Sequence, residues 1–89
     1  MEHSREATIV NTHGLHARPA AEFVKLANRF SAEVWVATED LEVSGKSIMG
    51  VMMLAAECGS KILIRAAGND AQDAVDALSA LVSSRFGED

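Results

Sequence analysis

Between Lys61 and Phe86 the apolar repeat changes once, from a period of two to a helical period, and this change constrains the fold more than any other feature. Over Lys61–Ala67, Ile62, Ile64 and Ala66 fall on one face, the pattern of a half-buried strand. Gly68-Asn69-Asp70 supplies a turn and a cap. Ala71–Phe86 then carries Val75, Leu78, Leu81 and Val82 as the stripe of a helix. Asp70, Asp73 and Asp76 read as charge complement to the start of that helix and as a solvated face.

The rest of the chain repeats this grammar. Glu6–Asn11 reads as a strand, with Ala7 and Ile9 on one face and Thr8 and Val10 on the other. Thr12-His13-Gly14 is a turn. Ala17–Phe30 is predicted helical, with Ala20, Phe23, Val24 and Ala27 at i, i+3, i+4, i+7 spacing. Pro19 sits in its first turn, where a missing N–H breaks no internal bond. Glu33–Thr38 is a strand, Glu39-Asp40 a hairpin turn and Leu41–Ser44 a short return strand. Ser47 is placed as the N-cap of a helix over Ile48–Ala56, which Gly50 weakens and Gly59 ends. The order β-α-β-β-α-β-α predicts an α+β domain with helices on one face of a largely antiparallel sheet. The other face is expected to be open, with Trp35 partly exposed. One domain over 1–89 is expected, with residues 1–5, and His3 among them, frayed.

Composition bounds the function. The apolar share is 48%, enough for a core in a chain of 89 residues. The net charge of −5 argues against a general nucleic-acid binder. Met1–Glu6 lacks the apolar core of a signal peptide. Ile48–Ala56 is about half the ~20 residues that a membrane span takes. A soluble, cytoplasmic protein without membrane insertion is the expectation. Cys58 stands alone, which excludes an internal disulfide and cysteine-rich zinc sites. Cys58 itself is expected in a loop or the core. No metal site is predicted: His13, His16 and distant acids show no ligand spacing.

The chemistry concentrates in His13-Gly14-Leu15-His16-Ala17-Arg18-Pro19-Ala20. His16 opens a helix after a glycine-containing loop. Free backbone N–H groups and the positive dipole end favour phosphate there. Arg18 adds a fixed charge and a bidentate donor fork. A neutral imidazole is a nucleophile near pH 7. A histidine at a helix start also serves as a cap or a surface residue, and that reading stands beside the catalytic one. His13 reads as a solvated loop residue that could modulate the site.

Gly14-Leu15-His16-Ala17-Arg18-Pro19-Ala20 resembles the active-site signature of the HPr family, the phosphocarriers of the sugar phosphotransferase system. Lys46-Ser47-Ile48-Met49-Gly50-Val51-Met52 is similar to the family's regulatory serine segment. The resemblance covers nearly the whole chain. It implies an open-faced β-sandwich, a four-stranded antiparallel sheet in order 1-4-2-3 with three helices on one face. It implies that enzyme I passes a phosphoryl group to Nδ1 of His16, which hands it to an enzyme IIA domain. Arg18 would balance the phosphate charge. The protein would be a stoichiometric carrier with no bound cofactor, its partners supplying the catalysis; monomer is the default for so small a carrier.

Ser47 alone reads as an N-cap. By resemblance it is also a regulatory site for an HPr kinase/phosphorylase, whose phosphate would hinder transfer from enzyme I. The apolar residues Ile48, Met49, Val51, Met52 and Met53 crowd a short helix, which is then buried or a docking face. The resemblance makes Ile48, Met49 and Met52 a docking patch beside Ala17, Arg18 and Lys25, with Val51 and Leu54 in the core. Phe86-Gly87-Glu88-Asp89 is similar to NPr, the nitrogen-branch carrier, so the sugar and nitrogen branches both stay open. A regulatory binding module of the same fold is a rival that the pair His16 and Arg18 disfavours. A hydrolase using His16 as base lacks a nucleophile and an acid at readable spacing.

Overall fold

A computed structural model describes residues 1–88. The elements are β1 (Glu2–Thr8), α1 (Ala17–Ala27), β2 (Glu33–Ala37), β3 (Glu42–Ser44), α2 (Ile48–Met53), β4 (Lys61–Ala67) and α3 (Ala71–Ser83), closed by a 3₁₀ turn at Arg85–Gly87. The strands form one antiparallel sheet in order β1-β4-β2-β3.

The alternation in β4 sorts its side chains as expected. Ile62, Ile64 and Ala66 are buried, and Val34 and Val36 of β2 join them. Val34 pairs with Ala66 and Val36 with Ile64, so one continuous apolar face lies under the helices. Phe23 of α1, Val51 of α2 and Leu78 and Val82 of α3 are fully buried in the same core. The opposite face is open. There Arg65 lies 4.0 Å over the ring of the half-buried Trp35 and pairs with Glu2 and Glu42, each at 3.1 Å.

Five expectations are corrected. Residues 2–5, expected to be frayed, lie in a strand. Strand β1 starts at Glu2, which pairs with Ala67, and ends at Thr8, opposite Lys61. An Arg5–Asp76 ion pair of 2.6 Å ties it to α3. The predicted strand slid toward the apolar Ile9 and Val10, yet Ile9 enters the core just past the ladder. Helix α2 stops at Met53, short of Ala56, because Ala55 takes a left-handed φ of 49°. Helix α1 stops at Ala27 rather than Phe30. Asn28 caps it by donating from Nδ2 to Val24 O at 2.9 Å and Lys46 O at 3.3 Å. Helix α3 stops at Ser83 rather than Phe86, since Arg85, Phe86 and Gly87 all have positive φ.

Asp70 holds the predicted cap position, but its carboxylate serves another segment. It accepts from the backbone N–H of Ser31 at 2.9 Å and of Ala32 at 2.8 Å. This clamps the entry of β2 to the start of α3. The Ser31 N–H chiefly holds the Asp70 carboxyl below the usual carboxylate range, against desolvation, with help from Ala32. The glycine inside α2 also has a structural reason. A Cβ on Gly50 would lie 3.2 Å from Cβ of Val43, so the small residue lets α2 sit close on β3.

Candidate functional site

The loop before α1 is built to fix its last residue. Gly14 N–H donates to Asn11 O at 3.2 Å and closes the turn. Gly14 has φ +67°, and a Cβ there would lie 2.3 Å from Ala56 O. Only glycine fits that approach. Leu15 is buried and donates from its N–H to the same Ala56 O at 2.9 Å. The backbone therefore enters the helix at a fixed angle.

His16 is the N-cap residue of α1, with φ −74° and ψ −174°. Its carbonyl accepts the first helical bond from Ala20 N–H at 3.0 Å. Its side chain makes no cap bond, and the first turn carries no acid. The imidazole is 41% exposed. Arg18 is exposed as well and has no ion pair among the described residues. Pro19 is buried, as its place in the first turn suggests. An anion reaching His16 thus meets unpaired backbone donors, the positive helix end and a free guanidinium.

Two residues that the sequence reading did not assign complete the site. Glu88 Oε1 lies 2.9 Å from His16 Nε2. The same oxygen accepts from Asn11 Nδ2 at 2.9 Å. Asn11 is fully buried and also donates from Nδ2 to Gly14 O at 2.8 Å. Glu88 is only 15% exposed at its side chain. Hydrogen bonding to His16 holds its carboxyl below the usual range, against desolvation, with Asn11 and the charges of His16 and Arg18 adding to the effect. The His13 ring stands edge-on to His16 at 5.8 Å between centroids. His13 is exposed, so it is both a solvated loop residue and a neighbour of the site.

Known proteins match this chain over nearly its whole length. A family profile described as the PTS HPr component phosphorylation site matches residues 3–84. The chain belongs to the HPr family. Phosphocarrier protein HPr of Cupriavidus necator is 49% identical over 84 residues, which cover 94% of each chain. HPr-C-His from Thermoanaerobacter tengcongensis superposes with a TM-score of 0.93 at 42% identity over 98% of each chain. An HPr dimer from the same organism superposes with a TM-score of 0.78 at 44% identity, covering 94% of this chain and 99% of that one. The expected HPr fold, with sheet order 1-4-2-3 and three helices on one face, is therefore the observed one. Proteins of the HPr family are phosphocarriers of the phosphotransferase system.

The second HPr-like segment forms the start of α2. Ser47 is exposed, and its Oγ accepts from Gly50 N–H at 3.1 Å, the predicted cap. Lys46 Nζ donates to Phe30 O at 2.7 Å. Val51 and Leu54 are buried, while Ile48, Met49 and Met52 are exposed, Met49 by 70%. Met53 is exposed too. Ala17 and Lys25 are exposed on α1, which packs against α2. Cys58 lies exposed in the loop before β4. Among the described residues no three His, Cys, Asp or Glu side chains group to hold a metal ion. No helix of the described residues is long and apolar enough to cross a membrane.

Proposed function

We propose that this chain accepts a phosphoryl group from enzyme I on His16 and passes it to an enzyme IIA domain. The observation that carries the reading is the exposed imidazole at the α1 N-cap, uncommitted to capping and beside the exposed Arg18. The chain is a stoichiometric carrier working as a monomer in the cytoplasm. Enzyme I and enzyme IIA supply the rest of each active centre. The helix start and Arg18 offset phosphate charge in both transfers. No bound cofactor takes part.

Docking falls to Ala17, Arg18 and Lys25 with Ile48, Met49 and Met52. Their exposed apolar side chains beside basic ones suit several partners, since methionine adapts its shape. Ser47 is the regulatory site for HPr kinase/phosphorylase. Its hydroxyl is exposed at a helix start that tolerates added negative charge. A phosphate there places roughly two negative charges next to the docking residues and repels phospho-enzyme I.

Intact mass after incubation with phosphoenolpyruvate and enzyme I tests the carrier role. One acid-labile, alkali-stable phosphate is expected on the wild type and none on His16→Ala. An unmodified wild type with enzyme I of the same organism would overturn it, and acid-stable phosphate on Ser47 alone, once ATP and an HPr kinase/phosphorylase are added, would favour the regulatory module.

A further inference from the structure

The chain spends backbone strain to bring Glu88 to His16. Arg85 and Phe86 are non-glycine residues at φ 62° and 55°, followed by Gly87 at 73°. Non-glycine residues in this region are held there by their surroundings. Here the turn buries Phe86 in the core and sends the Glu88 side chain back toward the start of α1. Asn11, fully buried, then grips Glu88 from below while anchoring the Gly14 carbonyl. One oxygen of Glu88 is thus held between the imidazole and the buried Asn11 amide.

We infer that Glu88 is a positioning residue that keeps a proton on Nε2 of His16 through both halves of the transfer cycle, so that Nδ1 is the atom that takes and gives the phosphoryl group. The inference rests on the carrier role of His16. An ionised carboxylate only accepts, so the hydrogen in the 2.9 Å contact belongs to Nε2. The donation from Asn11 to the same oxygen, and the lowered Glu88 carboxyl, keep Glu88 in the accepting form. The neutral ring then carries its lone pair on Nδ1.

The carboxylate acts on the charge that the ring gains in the transfer. In acceptance, the Nδ1 lone pair forms a bond to phosphorus while the donor's P–N bond breaks and returns its pair to the donor. The His16 ring becomes a phosphoryl-imidazolium, positively charged, with its Nε2–H already facing Glu88. In donation, the P–Nδ1 bond breaks, its pair returns to Nδ1, and the ring is again neutral with Nε2–H. No proton enters or leaves the ring in either half. Had the phosphorylated ring lost its Nε2 proton, it would have to leave phosphorus as an imidazolide, a much poorer leaving group. Glu88 opposes that loss by charge and hydrogen bond together, and Asn11 holds Glu88 in place.

Glu88→Ala removes both effects, and Glu88→Gln keeps an accepting oxygen without the charge. Nitrogen-15 shifts of the imidazole in the free protein, at a pH where the ring is neutral, report the tautomer without any partner. The wild type should show a single, slowly exchanging Nε2–H at His16, Glu88→Gln should keep it, and Glu88→Ala should lose it to exchange averaging. After loading by enzyme I, donation to enzyme IIA should slow on the order of 10-fold in Glu88→Ala. The slowing should deepen as pH rises above neutrality, with Glu88→Gln in between. A wild-type His16 that averages its tautomers as freely as Glu88→Ala would overturn the inference. So would variants that lose stability yet donate at the wild-type rate at every pH, a purely structural result. Failure of the wild type to accept phosphate at all would instead strike the carrier role beneath it, and the tautomer result would still judge the contact.

Discussion

Replacing Arg18 separates charge from geometry at the His16 site. Arg18→Ala removes a fixed donor fork, and transfer from enzyme I should fall by about 10- to 100-fold. Arg18→Lys should recover part of that loss, since it restores charge without the bidentate fork. Stopped-flow transfer with unchanged circular dichroism is the check. Ser47→Ala should cost about 1 kcal/mol in urea unfolding by freeing Gly50 N–H. His16, Arg18 and Ser47 were legible because each is a local signal: a residue type, a glycine turn and a helix start within a few positions. Asn11 and Glu88 were not. They meet 77 positions apart, and Glu88 reaches His16 across 72. Asn11 left one clue, a polar residue against the apolar Ile9 and Val10. Glu88 sits in the short acidic segment Phe86–Asp89, which carries no local signal for a contact with His16.

At the level of elements, the joints decide more than the interiors. Asp70 ties the start of α3 to the entry of β2 through two backbone donors. Its carboxyl titrates lower folded than unfolded. The unfolded chain therefore binds more protons on acidification, and this contribution is complete above the ordinary carboxylate range of about 4 and lost as pH falls through the lower folded value. Asp70→Asn should be less stable than wild type at neutral pH, and the gap should close as pH drops below about 4. Urea midpoints across pH measure it. Gly14→Ala probes the other joint, where a Cβ meets Ala56 O and the φ is left-handed. A loss of about 1–3 kcal/mol is expected. Strand β4 was readable residue for residue because its alternation faces one buried layer. Strand β1 was displaced because Glu2, Ser4 and Glu6 are polar, and β1 is held by ladder bonds and the Arg5–Asp76 pair rather than by an apolar stripe. The end of α3 was overrun because positive φ at Arg85 and Phe86 has no local signature beyond Gly87.

The whole molecule is one sheet with its helices on a single side, and that asymmetry divides its labour. The helix side holds the core and, at the starts of α1 and α2, His16 and Ser47. Ile64 is fully buried at the centre of the β4 ladder, and Ile64→Ala should cost about 2–5 kcal/mol in reversible unfolding. The same change should leave the phosphorylation site intact in the folded fraction. The central claim, that a phosphoryl group rides on His16, is tested most directly by phosphorus–nitrogen coupling. Nitrogen-15-labelled protein, loaded by phosphoenolpyruvate and enzyme I, should show a one-bond coupling between phosphorus and Nδ1 of His16. Phosphorus bonded to another residue, or to no nitrogen at all, would contradict the account.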